Sequence, residues 1–422
     1  MSKLLHFLKI EAIRNFSKVF MGSMAAQGIS LLLAPVLSRL FGPGEFGLAG
    51  LYLSIAGMLS VLSTGKYEQA IMLPRRDEDA VSLFWLVLHI SLAVSILTAI
   101  VVIPFHGHLA VWANNEDLGP WLLLLPLSLI LHGMYQASVF FANRKKQFGL
   151  MGRGTLVQYG ALNAFRILSG WLRAPFNGLI AGHIAAQLTA AAYLIRGIRR
   201  TLRGIGGVPS RKSMWEQAVK YAQYPGFNMV LSFTNTLSGS LPVLLFTWGF
   251  SAEIAGLYAF GYAFVFRPLS LFSQSASQVL SQKIIEDYHQ GKKIYEPLKK
   301  LARRFFIGGL PAFAMLAALA PALFGFVFSD DYTRAGVFLQ ILSPYLLMVF
   351  VASPLSFVPE LYFRQKKAMV IDLVYLFLRF AALYAGIKAG SLILALALFS
   401  GVSTLVVSYN LFWYLSLARK HA

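Results

Sequence analysis

The chain has 422 residues, of which 57% are hydrophobic and only 13% charged. Soluble domains carry about 25% charged residues, so this chain cannot cover a fully water-exposed surface. Its net charge of +20 does not indicate a nucleic-acid partner, because the basic residues lie in short breaks between long apolar runs. The absence of cysteine excludes disulfides, thiolate metal ligands and a cysteine nucleophile. The composition therefore predicts an all-α, polytopic membrane protein.

About twelve apolar stretches are long enough to span a bilayer, which takes about 20 residues. They are 16–37, 46–73, 80–105, 121–141, 154–172, 176–195, 226–248, 254–278, 305–328, 336–359, 368–387 and 392–415. We expect both termini in the cytoplasm, because this orientation places 29 lysines and arginines inside and four outside. Residues 1–15 are expected to form a basic, amphipathic lead at the membrane interface, ahead of an uncleaved first span.

The longest segments between spans are on the predicted cytoplasmic side, and one of them divides the chain into two six-span halves. We predict an N-lobe at 16–200, a cytoplasmic linker at 201–224 and a C-lobe at 225–418. The similar starts of the second and eighth spans, FGPGEFGL and WGFSAEIAGL, suggest that the halves are related. Paired halves with a substrate path between them are common in transporters.

Basic residues and polar stripes inside the spans predict a central cationic cavity. An isolated charge there costs roughly 2.5–3.5 kcal/mol unless it faces water or a partner; snorkelling to the interface is the alternative for each cation. Hydrogen bonding between helices could explain one polar stripe, but four stripes favour a water-filled cavity. The stripes lie in the first span (Ser23, Gln27, Ser30, Ser38), the fifth (Thr155, Gln158, Tyr159, Asn163, Arg166, Ser169), the seventh (Asn228, Ser232, Asn235) and the eleventh (Asp372, Tyr375, Arg379). The expected substrate-binding residues are Lys66, Arg166, Arg267, Arg379, Gln27, Gln158, Asn163, Asn228, Asn235 and Tyr375.

Pro268 follows Arg267 in the eighth span. A proline inside a helix removes a backbone hydrogen bond and bends the helix, so we expect Pro268 to act in gating.

Two acidic residues, Glu68 and Asp372, are candidates for proton or ion coupling. Asp372 shares a helical face with Arg379, so partial neutralisation is equally consistent with its position. Glu68 is not expected to pair with Lys66, because residues i and i+2 of a helix point in different directions.

Enzyme signatures are missing from the chain. There is no GxxxxGK[ST], HExxH or GxSxG sequence, and the largest predicted outer loop, 106–120, is too short for a catalytic lobe. Residues capable of acid–base chemistry occur singly. We therefore expect a carrier without catalytic residues, a bound metal or a cofactor.

Two segments carry a family resemblance. Residues 37–80 contain Gly42-Pro43, Glu45-Phe46-Gly47, Gly65-Lys66-Tyr67-Glu68 and Leu73-Pro74, followed by an acidic-basic loop. Residues 323–358 read LFGFVFSDDYTRAGVFLQILSPYLLMVFVASPLSFV. Both resemble bacterial polysaccharide-biosynthesis translocases, the O-antigen and capsule flippases of the multidrug/oligosaccharidyl-lipid/polysaccharide exporter superfamily. Lysine stands at position 66 where arginine is more usual, which preserves the charge.

The resemblance implies a twelve-helix, two-lobed transporter in the bacterial inner membrane that works by alternating access. Its implied substrate is an undecaprenyl-pyrophosphate-linked oligosaccharide, an O-antigen, capsule or exopolysaccharide repeat unit, moved from the inner to the outer leaflet. Membrane lipids, a glycan polymerase and a chain-length regulator are the implied partners.

The residues themselves leave three alternatives open. One is a drug or cation antiporter of the same superfamily, although a cation carrier should present more carboxylates than these spans contain. The others are a membrane-embedded enzyme of glycan assembly and a flippase for peptidoglycan precursors.

Overall fold

The computed structural model describes residue 22 and residues 24–420, and this part of the chain contains helices and no strand. Its long helices have 20 residues or more. They are α1 (Pro43–Thr64), α2 (Asp77–Trp112), α3 (Leu125–Arg144), α4 (Phe148–Trp171), α5 (Gly178–Ile205), α6 (Met229–Gly249), α7 (Ala252–His289), α8 (Tyr295–Val327), α9 (Thr333–Ala352), α10 (Gln365–Lys388) and α11 (Leu392–Lys420).

Short helices connect the long ones. Four-residue helices lie at Tyr67–Ala70, Gly119–Leu122 and Val358–Leu361, and longer ones lie at Ala34–Leu40 and Arg211–Lys220. Single turns of other helix types occupy Glu116–Leu118, Tyr224–Asn228, Asp330–Tyr332 and Ser353–Leu355.

Ten helical segments of the described chain are long and apolar enough to cross a membrane, which confirms the prediction of a polytopic, all-α membrane protein. Each of the ten overlaps a predicted span. The predicted fifth span, 154–172, coincides with α4, whose polar face keeps it outside the ten. The first predicted span, 16–37, begins outside the described residues, and the lead at 1–15 lies wholly outside them. The count of twelve spans therefore stays a prediction.

The chain forms two compact units. The first contains residues up to Phe41 and Leu48–Thr236, and the second contains Gly42–Gly47 and residues from Leu237 onward. The division between Thr236 and Leu237 falls inside α6, and the predicted linker 201–224 lies within the first unit. The proposed lobe boundaries remain a prediction.

Local sequence explains where several helices begin. Asn177 precedes α5, and its side-chain oxygen accepts from the backbone N–H groups of Leu179 and Ile180, at 3.0 and 3.2 Å. Ser251 caps α7 in the same way, accepting from the N–H of Ile254 at 3.2 Å. Such caps satisfy N–H groups that the first turn of a helix leaves without partners.

Each unit has an apolar cluster of its own. In the first unit, buried Ile71, Phe84 and Phe141 join the Tyr67–Ala70 helix to α2 and α3. In the second unit, buried Leu298, Leu355 and Trp413 belong to a cluster that joins α8, the Ser353–Leu355 turn and α11.

Candidate functional site

The GKYE motif forms a sharp turn in the first unit. Gly65 and Lys66 both have positive φ, 55° and 60°, and Lys66 lies just before the Tyr67–Ala70 helix. The Lys66 Nζ atom is 3.7 Å from Oε1 of Glu68, whose residue is only 2% exposed. The expectation that these side chains cannot pair is wrong, because the left-handed backbone of Lys66 removes it from the helical spacing on which that expectation depended.

Hydrogen bonds anchor the loop that follows this motif. Arg144, at the end of α3, donates to Oδ1 of Asp77 through Nε and Nη2, at 3.2 and 3.1 Å. Its Nη1 donates to the carbonyl oxygen of Pro74 at 2.7 Å. Tyr67 donates to the carbonyl oxygen of Ala218 at 2.9 Å. Part of the segment 37–80, which carries the family resemblance, is therefore held in place by hydrogen bonds.

Two of the predicted polar stripes meet in the first unit. Asn163, 4% exposed, donates through Nδ2 to Oγ of Ser30 and to the carbonyl oxygen of Tyr159, both at 2.9 Å. Gln27 and Gln158 are half-buried. The contact between Asn163 and Ser30 joins residues of the predicted fifth and first spans.

The remaining predicted residues of the first unit have different environments. Arg166 is half-buried and donates through Nη2 to the carbonyl oxygen of Leu179 at 3.4 Å. Asn228 donates to Oε1 of Gln69 at 3.4 Å. Asn235 is exposed on α6.

Arg379 is buried in the second unit, where four helices meet. Its Nη1 donates to Oγ and to the carbonyl oxygen of Ser238 on α6, at 3.0 and 3.3 Å. Its Nη2 donates to the hydroxyl groups of Tyr345 on α9, at 2.9 Å, and of Tyr375 on α10. Its Nε donates to Oγ of Ser403 on α11 at 3.4 Å.

Aromatic rings complete the environment of this guanidinium. Its carbon lies 4.0, 5.1 and 5.6 Å from the ring centres of Tyr375, Phe399 and Tyr345. Such cation–π contacts contribute about 0.5–2 kcal/mol each. Within the described part of the chain no carboxylate pairs with Arg379, so neutral groups stabilise its charge and occupy its donors. In this conformation Arg379 organises the second unit.

Arg267 differs from Arg379 in its exposure and in its surroundings. It is exposed on α7, and no acidic side chain among the described residues forms an ion pair with it. Pro268 is also exposed, and α7 continues on both sides of it, from Ala252 to His289. Asp372 is half-buried on α10. The roles expected of these residues in substrate binding, gating and coupling stay predictions.

Within the second unit the structure brings Arg379 and Tyr375 together, and within the first it brings Lys66 and Glu68 together. The partners Ser238, Tyr345 and Ser403 were not expected. Ser238 could have been found, because it extends the polar stripe of the seventh span by three residues beyond Asn235. Tyr345 and Ser403 belong to none of the predicted polar stripes, so the sequence carries no signal for them.

Sequence comparison gives one family. A family model described as a polysaccharide biosynthesis protein matches residues 36–336, more than two thirds of the chain. No curated protein matches the sequence.

Several solved structures are similar in fold. The lipid II flippase MurJ in an inward closed conformation is 14% identical with a TM-score of 0.72, over 94% of this chain and 90% of that chain. An inward-facing multidrug resistance transporter of the MATE family is 13% identical with a TM-score of 0.65, over 92% and 95%. A transporter from Pyrococcus furiosus, for which a binding pocket of reverse polarity suggests a different function, is 12% identical with a TM-score of 0.54, over 97% and 96%. All three are described as transporters or as a flippase, and at these identities the likeness shows the fold alone.

Proposed function

Because this chain belongs to the polysaccharide biosynthesis protein family and has the fold of transporters of the multidrug/oligosaccharidyl-lipid/polysaccharide superfamily, we propose that it is a flippase for lipid-linked oligosaccharide. The proposed substrate is an undecaprenyl-pyrophosphate-linked repeat unit of O-antigen, capsule or exopolysaccharide. The protein moves it from the inner to the outer leaflet of the bacterial inner membrane by alternating access.

The observation that carries this proposal is the exposed position of Arg267 on an apolar, membrane-length helix. A charge inside a membrane span is costly unless it faces water or a partner. No acidic side chain among the described residues forms an ion pair with Arg267. Guanidinium groups bind phosphate oxygens through charge-assisted, bidentate hydrogen bonds. Arg267 therefore suits the pyrophosphate of a polyprenyl-linked glycan.

The charge distribution disfavours a cation antiporter. Such a carrier needs accessible carboxylates, but Glu68 is buried and lies beside Lys66. Asp372 is half-buried, and Glu360 lies in the short helix near the predicted inner end of the tenth span. An enzyme of glycan assembly is disfavoured by the scattered acid–base residues. A polymerase and a chain-length regulator, which would act on the exported glycan, are the proposed partners.

Purified protein in liposomes provides the test. A polyprenyl-pyrophosphate oligosaccharide with a fluorophore on its glycan should become accessible to a membrane-impermeant quencher faster than in protein-free vesicles. Arg267→Ala should reduce the rate at which the fluorophore becomes accessible to that of protein-free vesicles. Lys388→Ala, which removes an exposed cation at the predicted outer end of α10, is the matched control and should retain it.

Two other results would overturn the proposal. Exchange of a cationic dye without any flipping of the labelled lipid would identify an antiporter. Chemical alteration of the glycan, seen by mass spectrometry, would identify an enzyme.

A further inference from the structure

A polar groove runs along α7 in the second unit. It has a volume of about 380 Å³, which falls within the range of small-molecule sites. Its polar lining consists of Ser270, Ser273, Gln274, Ser277, Ser353 and Ser356. The first four belong to α7, and the last two belong to the turn that follows α9 and the residue next to it.

The four α7 residues share one face of the helix. Their spacing of i, i+3, i+4 and i+7 places them within an arc of roughly 100°. Within a membrane, a face of this kind has to meet protein or a water-filled space, because lipid cannot satisfy its hydrogen bonds. Ser353 and Ser356, which line the opposite side, add hydroxyl groups and do not fill the space.

Ser273 shows that this face is not fully satisfied by the protein. It is only 5% exposed, and its Oγ atom has no hydrogen-bond partner among the residues that the structure describes. By contrast, Ser275 on another face of α7 donates to the carbonyl oxygen of Leu271 at 2.7 Å. Leaving a buried hydroxyl group without a partner is unfavourable, so the environment of Ser273 suits a ligand that supplies one.

The groove matches a neutral, polyhydroxylated group. Each serine hydroxyl can donate once and accept twice, and the amide of Gln274 can do both. Among the described side chains that line the groove none is charged, while Phe266 and Leu269 contribute apolar surface. A phosphate would find no counter-charge within this lining, whereas a sugar presents both hydroxyl groups and C–H faces.

The predicted topology also suits a glycan. Ser277 and Ser356 lie near the ends of the eighth and tenth predicted spans, 254–278 and 336–359, and both spans run towards the cytoplasm. Arg267 is one turn of α7 before Ser270. The Oγ atom of Ser270 donates to the carbonyl oxygen of Arg267 at 2.8 Å. A lipid-linked glycan approaching from the inner leaflet could therefore place its sugar in the groove and its pyrophosphate towards Arg267.

We propose that this groove, formed by Ser270, Ser273, Gln274, Ser277, Ser353 and Ser356, binds a neutral sugar residue of the transported glycan. The proposal rests on the proposed function and assigns the sugar end of its substrate to a site distinct from the basic residues.

Binding to the purified, full-length protein tests the groove. Two probes are compared: a polyprenyl pyrophosphate that carries a neutral disaccharide, and the same polyprenyl pyrophosphate without sugar. Ser273→Leu, which fills the groove, should weaken binding of the glycosylated probe by about 10-fold or more, because several hydrogen bonds are lost at once. The affinity for the bare pyrophosphate should not change. Ser277→Ala should weaken only the glycosylated probe, by about 3- to 10-fold.

Matched variants separate the groove from other effects. Ser275→Ala removes a hydroxyl from the same helix outside the groove and should leave both affinities unchanged. Arg267→Ala should weaken both probes. If Ser273→Leu leaves both affinities unchanged, or weakens both equally, the groove is not a sugar site.

Failure of the proposed function gives a different result. If the wild-type protein binds neither probe, the proposed function is overturned. The groove is then tested separately by measuring the binding of octyl glucoside, a neutral alkyl glycoside. Binding that Ser273→Leu weakens while Ser275→Ala preserves it would support the groove. Binding that Ser273→Leu does not change, or no binding at all, would overturn it.

Discussion

Gly47 and Gly256 meet backbone to backbone in the second unit. A Cβ atom on Gly47 would overlap the carbonyl oxygen of Ala252, and one on Gly256 would overlap that of Pro43. Each glycine is the fifth residue of its helix, α1 and α7 respectively. These are the helix starts whose sequences, FGPGEFGL and WGFSAEIAGL, suggested related halves. The two similar segments therefore cross at equivalent positions.

Alanine at either glycine should destabilise this crossing. Overpacking a close contact costs typically 1–3 kcal/mol, and here the obstacle is backbone, which cannot rotate away. We expect Gly47→Ala and Gly256→Ala each to lower the thermal unfolding temperature of the detergent-solubilised protein. Gly44→Ala is the matched control, because its Cβ would meet nothing within 4 Å. Equal unfolding temperatures for Gly44→Ala and Gly47→Ala would contradict the crossing.

The Lys66–Glu68 pair is expected to matter for stability. Removing one partner of a buried ion pair costs about 3–5 kcal/mol, because the other charge stays buried without compensation. Lys66→Gln should therefore reduce the amount of folded protein. Glu68→Gln should have a smaller effect, since the Lys66 side chain is 20% exposed and reaches water more readily than Glu68, whose side chain is 3% exposed.

A double-mutant cycle measures this coupling. Lys66→Gln combined with Glu68→Gln should recover much of the loss seen in Lys66→Gln alone, because no buried charge remains. Additive losses, determined by thermal unfolding of the same preparations, would show that the two side chains do not interact.

The membrane fold could be predicted from hydropathy because lipid permits few solutions. A chain in lipid has to satisfy its backbone hydrogen bonds within each helix, so long apolar runs predict helices with little dependence on tertiary contacts. α4 shows where this signal weakens, since its polar face lowers its hydropathy below that of the ten apolar segments.

The candidate site was less predictable because it depends on backbone turns and distant partners. Helical spacing misrepresented Lys66, whose positive φ follows from the turn between two helices. The predicted polar stripe of the eleventh span places Tyr375 beside Arg379, but the other three hydroxyl partners of Arg379 come from other helices, α6, α9 and α11. No local pattern in a single sequence specifies which helices pack together.

The two central arginines should respond differently to substitution. Arg379→Ala removes the partner of four hydroxyl-bearing side chains and leaves a cavity, so folded protein should decrease, with a loss of roughly 2–5 kcal/mol. Arg267→Ala relieves a charge without breaking a described side-chain contact and should leave the protein level unchanged while abolishing export. Membrane protein level and complementation of a deletion strain, measured on the same cells, separate the effects. Normal levels of Arg379→Ala would show that its network is dispensable for folding.

Reporter fusions test the predicted topology. Because the basic residues are concentrated on one side, fusions at Gly207 and Gln290 should be active only in the cytoplasm. Fusions near Asn115 and Asp330 should be active only outside. A cytoplasmic signal at Asn115 would contradict the twelve-span model.

The membrane potential should drive export. A pyrophosphate carries about two negative charges, and each charge moved across a membrane that is negative inside is favoured by roughly 2.3 kcal/mol per 100 mV. About 4–5 kcal/mol therefore favours outward movement without ATP. If a fixed cation such as Arg267 neutralises the substrate in transit, the potential acts instead when the empty, positively charged site returns inward. The sum over the cycle is the same.

Flipping in liposomes that contain no nucleotide measures this dependence. We expect it to slow when potassium and valinomycin collapse the potential. If Asp372 also couples the cycle to protons, a pH gradient should change the rate in the wild type and have no effect in Asp372→Asn. Glu68→Gln is a weaker test of coupling, because Glu68 is paired with Lys66 and its substitution is expected to affect folding as well. An unchanged rate with neither potential nor ion gradient would contradict coupling, since the substrate's own concentration gradient would then be the only driving force left.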